Sequence, residues 1–171
     1  MTYFLYHDDI SSEVKFGDVI AIDTETMGLN INRDRLCLIQ LSSGDGNAHL
    51  VQISKKSFEK QNDFSNLKKI FKNPNTTKLF HFARFDIAVI EKNICRLNGP
   101  IYCTKIASKL SRTFGAKHGL ADLCKDLLNL VPLFLYQLLQ FYLNQLQMEY
   151  HHDIRNNSFI IHKTLKKKCH Y

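Results

Sequence analysis

Apolar and polar positions along the chain follow two rhythms. Residues 19–22, VIAI, form an unbroken apolar run and read as a buried strand, while residues 35–41, RLCLIQL, alternate closely enough to be its neighbour. Gly44-Asp45-Gly46 supplies a tight turn into residues 48–53, which completes an antiparallel meander of three strands. Residues 62–71 switch to helical spacing through Phe64, Leu67, Ile70 and Phe71, with Asn62 or Asp63 as the cap and Asn73-Pro74-Asn75 as the stop. Residues 77–80 predict a further strand, feeding a helix over 83–92. Beyond Gly99-Pro100, residues 104–110 predict a short helix capped by Thr104, and Leu120, Leu123, Leu127 and Leu130 predict another. Strands covered by the helices that follow them imply an α/β fold with a mixed sheet.

The rhythm is lost after Leu130. Residues 131–150 are dense in Leu, Phe, Tyr and Gln, with Glu149 the only charge, and residues 151–171 are basic and histidine-rich. Pro132 suits the first turn of a helix reaching to about residue 148. Its apolar positions cover too much of the circumference for one buried face, so such a helix is well buried, paired with another chain or poorly folded. The chain therefore divides at 130 into a core domain, residues 1–130, and a divergent segment, residues 131–171.

Length and composition narrow the picture. The 171 residues suffice for one ordinary domain, and 44% hydrophobic with 23% charged residues describes a soluble globular chain. No leader-like segment is present at the N-terminus, and the greasy run from Val131 is interrupted by Gln137, Gln140 and Asn144, so no membrane span and a cytoplasmic location are expected. Cys37, Cys95, Cys103, Cys124 and Cys169 are odd in number and scattered, which fits reduced thiols. The net charge of +7 suggests an anionic partner, but residues 151–171 hold +4 of it, so it says little about the main body.

The candidate chemistry lies in two carboxylate blocks. In IAIDTETMGL, Asp23 and Glu25 are two apart and face the same side of an extended segment. Two such carboxylates repel each other, and a hard cation such as magnesium or manganese is the usual remedy. Taken alone, this tripeptide reads more simply as a polar strand end, but the buried run before it and the small residues Thr24, Thr26 and Gly28 favour a site. In LFHFARFDIAVI, Asp86 falls in the first turns of a helix among Phe82, Phe85, Ile87 and Val89. It either aims into a site or favours the positive helix end.

IAIDTETMGL resembles the first motif, and HFARFDIAVI the second, of ribonuclease D and the wider group of 3′–5′ exonucleases with four acidic metal ligands. PIYCTKIASKLSRTFGAKHGLADLCKDLL resembles the downstream region of compact bacterial relatives, and the likeness spans residues 17–130. It implies a ribonuclease H-like mixed sheet flanked by helices, incomplete at the C-terminus. It also implies two divalent ions, Mg2+ or Mn2+, held by Asp23, Glu25 and Asp86, and hydrolysis of RNA 3′ ends to nucleoside 5′-monophosphates, with single-stranded DNA as an alternative substrate. Thr26, Met27, Gly28 and Leu29 would floor the terminal nucleotide. Phe82 could stack on a base and Arg84 meet phosphate, with a core role for Phe82 and a structural role for His81 equally open. Tyr102, Thr104, Lys105, Lys117 and His118 fall in the third block, where Lys105 or His118 would contact the backbone of the substrate. Cys103 reads as structural.

The family's last motif is a tyrosine, three residues, then an aspartate, on a late helix. Here Tyr150-His151-His152-Asp153 has the residue types one position too close, although positions three apart still share a helical face. Matching stops where composition shifts, which points to an altered reading frame or a truncated copy. Three readings follow: an active exoribonuclease, a catalytically impaired nucleic-acid-binding remnant, and an aggregation-prone fragment. RNA against DNA, processing against degradation, and the oligomeric state are not encoded in these patterns.

Overall fold

The computed structural model describes residues 2–59, 63–113 and 117–129. In chain order the elements are β1 (Thr2–His7), β2 (Val19–Thr26), β3 (Leu36–Ser42), β4 (Asn47–Gln52), α1 (Lys55–Glu59), α2 (Ser65–Lys72), β5 (Thr77–Phe80), α3 (Ala83–Asn93), β6 (Ile101–Cys103), α4 (Thr104–Ser111) and α5 (Leu120–Leu128). Two compact units divide the chain, Met1–Ala107 and Ser108–Tyr171.

The first unit is built on a mixed six-stranded sheet ordered β1-β4-β3-β2-β5-β6. β2, β3 and β4 form the antiparallel meander that the apolar pattern predicts, while β1 joins β4, β5 joins β2 and β6 joins β5 in parallel. Ile20 and Ile22 on β2 pack with Leu67 and Phe71 of α2 and Val89 and Ile90 of α3 in one apolar core. The mixed sheet flanked by helices is thus as expected.

β2 does not stop at its apolar run. It continues through Asp23 to Thr26, because β3 keeps pairing with it at Asp23↔Gln40 and Glu25↔Leu38, and the register slips only between Glu25 and Thr26. On its other edge, pairing with β5 ends at Ala21↔Leu79. The two carboxylates are therefore within a strand on one side and past the end of the ladder on the other.

Two caps differ from expectation. Asn62 lies outside the described residues, and Asp63 pairs with Lys68 at 3.0 Å. The first amides of α2 are taken instead by Asp9, whose oxygens accept from Asn66 N at 2.8 Å and Leu67 N at 2.9 Å, an arrangement no local sequence signal could reveal. Thr104 is the first residue of α4 rather than its cap. α5 ends at Leu128, closed by Asn129 at φ 54°, short of Leu130. β1, α1 and β6 were not anticipated: α1 and β6 have five and three residues, too few for a period, and β1 is largely exposed on both faces.

β5 carries a buried lysine. Lys78 is fully buried, and its ammonium donates to the carbonyls of Asn73 and, at 2.6 Å, Asn98. Burial pushes its pKa down. The neighbouring Gly99 has φ +85°, and a side chain there would meet the Pro74 carbonyl at 2.6 Å, so glycine is required by both conformation and space.

In the second unit, the Ser108 hydroxyl bonds His118 Nδ1 at 2.9 Å, and Arg112 pairs with Asp126 at 2.6 Å. Cys37, Cys95, Cys103 and Cys124 are free thiols. Among the described residues no helix is long and apolar enough to cross a membrane. The helix expected to 148, Tyr150, Asp153 and Cys169 lie outside the described residues.

Candidate active site

The site begins with strand alternation. Ile20, Ile22 and Thr24 form the buried face of β2, and Ala21, Asp23 and Glu25 form the half-buried face opposite. Thr24 is the exception on its face, a hydroxyl at zero exposure in line with two isoleucines.

α3 explains it. Its buried positions are Ala83, Asp86, Val89 and Ile90, so Asp86 occupies the core stripe and is only 1% exposed. Asp86 is thus turned inward while also lying in the first turn of α3. The Asp86 carboxylate oxygen Oδ1 accepts from Thr24 Oγ1 at 2.6 Å and from Thr24 N at 3.1 Å. That amide would have met β5 had the ladder continued; past Ala21 the carboxylate takes the place of a strand partner. A buried carboxylate needs such donors, since burial without them is costly. Asp86 thus docks on the residue between Asp23 and Glu25, at the strand edge.

All three donors are carboxylate oxygens, the set that suits a hard divalent ion. Among the described residues no group of three or more His, Cys, Asp or Glu side chains is arranged to hold a metal. The donor types fit such an ion, and the described residues do not by themselves complete its cage.

The proposed substrate floor follows β2 directly. Thr26 Oγ1 donates to the Gly28 carbonyl at 2.5 Å, and Met27 N to the Arg35 carbonyl at 3.1 Å. Gly28 lies against Asp34: a Cβ would fall 2.3 Å from Asp34 Oδ2, the carboxylate that also accepts from Asn30 N and pairs with Arg33. Arg33 holds the Asp34 pKa below its usual value. Lys92, in the last turn of α3, donates to the Ile31 carbonyl at 2.6 Å and so ties this loop to the helix that carries Asp86. Met27 and Leu29 are left exposed.

The β5–α3 junction holds His81, Phe82 and Arg84. His81 Nδ1 meets Thr104 Oγ1 at 2.8 Å, which in turn donates to the Phe80 carbonyl at 3.2 Å, so His81 has a structural partner. Arg84 is exposed. Phe82 is not a core residue: it sits at φ 67°, left-handed for a side chain with a Cβ, and is 47% exposed. Lys105 is only 6% exposed, and its Nζ lies 4.6 Å from the centre of the Phe82 ring, a cation–π contact rather than an open lysine.

Between these helices, burial pushes the Cys103 thiol up, but the backbone N–H groups of Ala83, Ile106, Phe82 and Lys105 outweigh it and leave its pKa lowered. Its sulfur joins the starts of α3 and α4, in keeping with a structural role. Tyr102 is half exposed on β6. Lys117 and His118 belong to the second unit, His118 held by Ser108. Sequence reasoning placed Asp86 and missed what holds it. The available signal was Thr24 itself, a polar residue in phase with Ile20 and Ile22.

Comparison with known proteins bears on this arrangement. Brucella melitensis NrnC has a structure 44% identical over 76% of this chain and 62% of its own, with a TM-score of 0.69. The same relative has been solved with bound Mg2+, again at 44% identity and 0.69, covering 76% of this chain and 63% of its own, and bound to pGG, at 44% identity and 0.69, covering 76% of this chain and 62% of its own. This chain therefore spans about 62% of the length of NrnC. The catalytic core of RRP6 from Trypanosoma brucei, 23% identical over 67% of this chain and 30% of its own at a TM-score of 0.52, shares the fold alone. No curated protein matches. The sheet order and flanking helices are those of the ribonuclease H-like nuclease fold. With a 3′–5′ exonuclease match over residues 6–168, wider on both sides than the resemblance read from the sequence, the chain belongs to the 3′–5′ exonuclease family.

Proposed function

We propose that this protein is a metal-dependent 3′–5′ exoribonuclease that releases nucleoside 5′-monophosphates from RNA 3′ ends. The observation that carries this reading is the buried Asp86 docked through Thr24 onto the strand segment that presents Asp23 and Glu25. Asp23, Glu25 and Asp86 would hold two divalent ions, Mg2+ or Mn2+, and the relative solved with Mg2+ supports that class of cation. Bound there, such ions lower the pKa of the attacking water and stabilise the departing 3′ oxygen.

The chain's own part is positioning. Thr24 fixes Asp86, and β3 fixes Asp23 and Glu25 by pairing on the far edge of β2. The Thr26–Leu29 floor receives the terminal nucleotide, Phe82 offers an exposed ring face to a base and Arg84 meets phosphate. Lys105 acts through Phe82, lying on its ring. His81 and His118 serve as supports, bonded to Thr104 and Ser108. On the ribonuclease D resemblance, Tyr150 positions the water and Asp153 supplies the fourth ligand. The relative bound to pGG supports a nucleotide substrate, and RNA as the polymer follows from the resemblance. The free thiols favour the reducing cytoplasm.

A second reading is a catalytically impaired module that binds nucleic acid. It is favoured by the Tyr150–Asp153 spacing, one residue shorter than the last motif of the family it resembles. Incubating the protein with a 5′-labelled oligoribonucleotide, its DNA counterpart and Mg2+ or Mn2+ separates the two. Stepwise loss of mononucleotides, abolished by Asp23→Asn and by chelation, is the expected result. RNA retention with no metal-dependent shortening would establish the second reading instead.

A further inference from the structure

The opposite end of β2 carries a second, separate feature. A groove of about 270 Å³ lies between the segment preceding β2 and helix α2. Thr76 Oγ1 bonds the Gly17 carbonyl and Thr77 N the Asp18 carbonyl, so this groove flanks the first residues of β2 and β5. Asp23 lies four residues further on, about 13 Å along the strand. A ligand here is not one being cleaved beside Asp23.

Its lining has two chemistries. Lys15 and Lys69 line it, both exposed, together with the hydroxyls of Ser11 and Ser12. No carboxylate lines it among the described residues. Lys69 makes no ion pair among the described residues, and the ammonium of Lys15 reaches only the Ser12 carbonyl, at 3.4 Å. Asp9 is committed to capping α2, and Asp63 to Lys68. Glu13, in the same segment, does not line the groove, so the two cations of its lining favour an anion. Its apolar wall comes from Val14, Phe16 and Ile70, all half-buried and packed against the core, and Asn66, Asn73 and Thr76 complete the lining. An anion site alone needs no apolar wall, and an apolar pocket alone needs no lysine pair. A ligand with a flat ring and a phosphate uses both, and about 270 Å³, at the small end for ligand pockets, leaves room for no more than one such unit.

We propose that the groove between residues 11–16 and α2 is an accessory nucleotide-binding site, with Lys15 and Lys69 on the phosphate and Phe16 and Ile70 against the ring. The nucleotide is either free or one unit of a longer strand. The site does not depend on hydrolysis beside Asp23, so its test measures binding alone.

Binding is measured calorimetrically in full-length Asp23→Asn protein with chelator, using guanosine 5′-monophosphate, guanosine, inorganic phosphate and a single-stranded decanucleotide. The comparison protein adds Lys15→Glu and Lys69→Glu, both at exposed positions, with thermal unfolding as the folding control. Guanosine 5′-monophosphate binding that falls at least tenfold in the charge-reversed protein, with guanosine and phosphate each at least tenfold weaker, supports a free-nucleotide site. Loss confined to the decanucleotide supports a strand-unit site. Equal binding by both proteins overturns the proposal, as does phosphate binding as tightly as the nucleotide. Should charge reversal unfold the chain, Lys15→Ala with Lys69→Ala is read by the same criteria. Mononucleotide release by the wild type is scored separately, so either result stands without the other.

Discussion

Asp86 and Lys78 are both charged, both buried, and belong to consecutive elements, yet they do opposite things. Lys78 donates to two loop carbonyls, those of Asn73 and Asn98, and so closes the turn after α2 onto the segment before β6. Asp86 accepts from Thr24 of a neighbouring strand, at the point where that strand loses its partner and at the position between Asp23 and Glu25. Burial of charge alone does not mark a functional site. What separates them is the company: backbone acceptors around the lysine make a structural clasp, whereas the aspartate is held at the end of a ladder by the residue between Asp23 and Glu25.

The widest test of that contrast is to remove one charge from each region. Asp23→Asn is expected to lower metal-dependent nucleotide release at least about 100-fold, as loss of a ligand should, with the urea midpoint unchanged; a mutant with near wild-type turnover would break the comparison. Lys78→Met is expected to do the reverse, costing about 1–3 kcal/mol of stability by orphaning buried carbonyls while leaving turnover per folded molecule intact.

The pH dependence of Lys78 sharpens the point. Its folded pKa is lowered from 10.5, so as pH rises from that lowered value towards 10.5 the unfolded chain holds a proton that the folded one has released. Stability of the wild type should therefore rise relative to Lys78→Met across this window and show no such slope below it. Denaturant titrations at stepped pH measure it.

Thr24→Val keeps the shape of the side chain and deletes the hydroxyl donor to Asp86. Loss of about 1–3 kcal/mol in chemical unfolding and weaker metal binding by roughly tenfold are expected. The smallest effect is on Phe82. Phe82→Gly relieves the left-handed backbone by about 1 kcal/mol and forfeits the Lys105 contact, about 0.5–1 kcal/mol, so the melting temperature should hardly move. KM for an oligonucleotide should rise several-fold, and an unchanged KM would remove Phe82 from the substrate path.

How far the sequence revealed this molecule depended on whether a feature was local. β5 and α3 stand where periodicity puts them, because short apolar runs and helical spacing are written in consecutive residues. Asp23, Glu25 and Asp86 were legible as two motifs in a known order. The inward aim of Asp86 was not, since it depends on where β5 stops pairing with β2. Likewise Lys78 in TKLF looks like an alternating polar position on a strand, and only the approach of Asn73 and Asn98 from either side makes it a buried clasp. Phe82 was ambiguous between core and platform because its left-handed conformation, not its hydrophobicity, sets its exposure.

The remote cap on α2 carries a consequence for how order arises in this chain. An eight-residue helix lacks the length to persist alone in water, and here its opening amides look to an aspartate 57 and 58 positions upstream. A peptide cut from this stretch should therefore be coil, and helicity within it becomes a reporter of whether the N-terminal segment has already come home. Local structure in this protein is a late reading of global assembly.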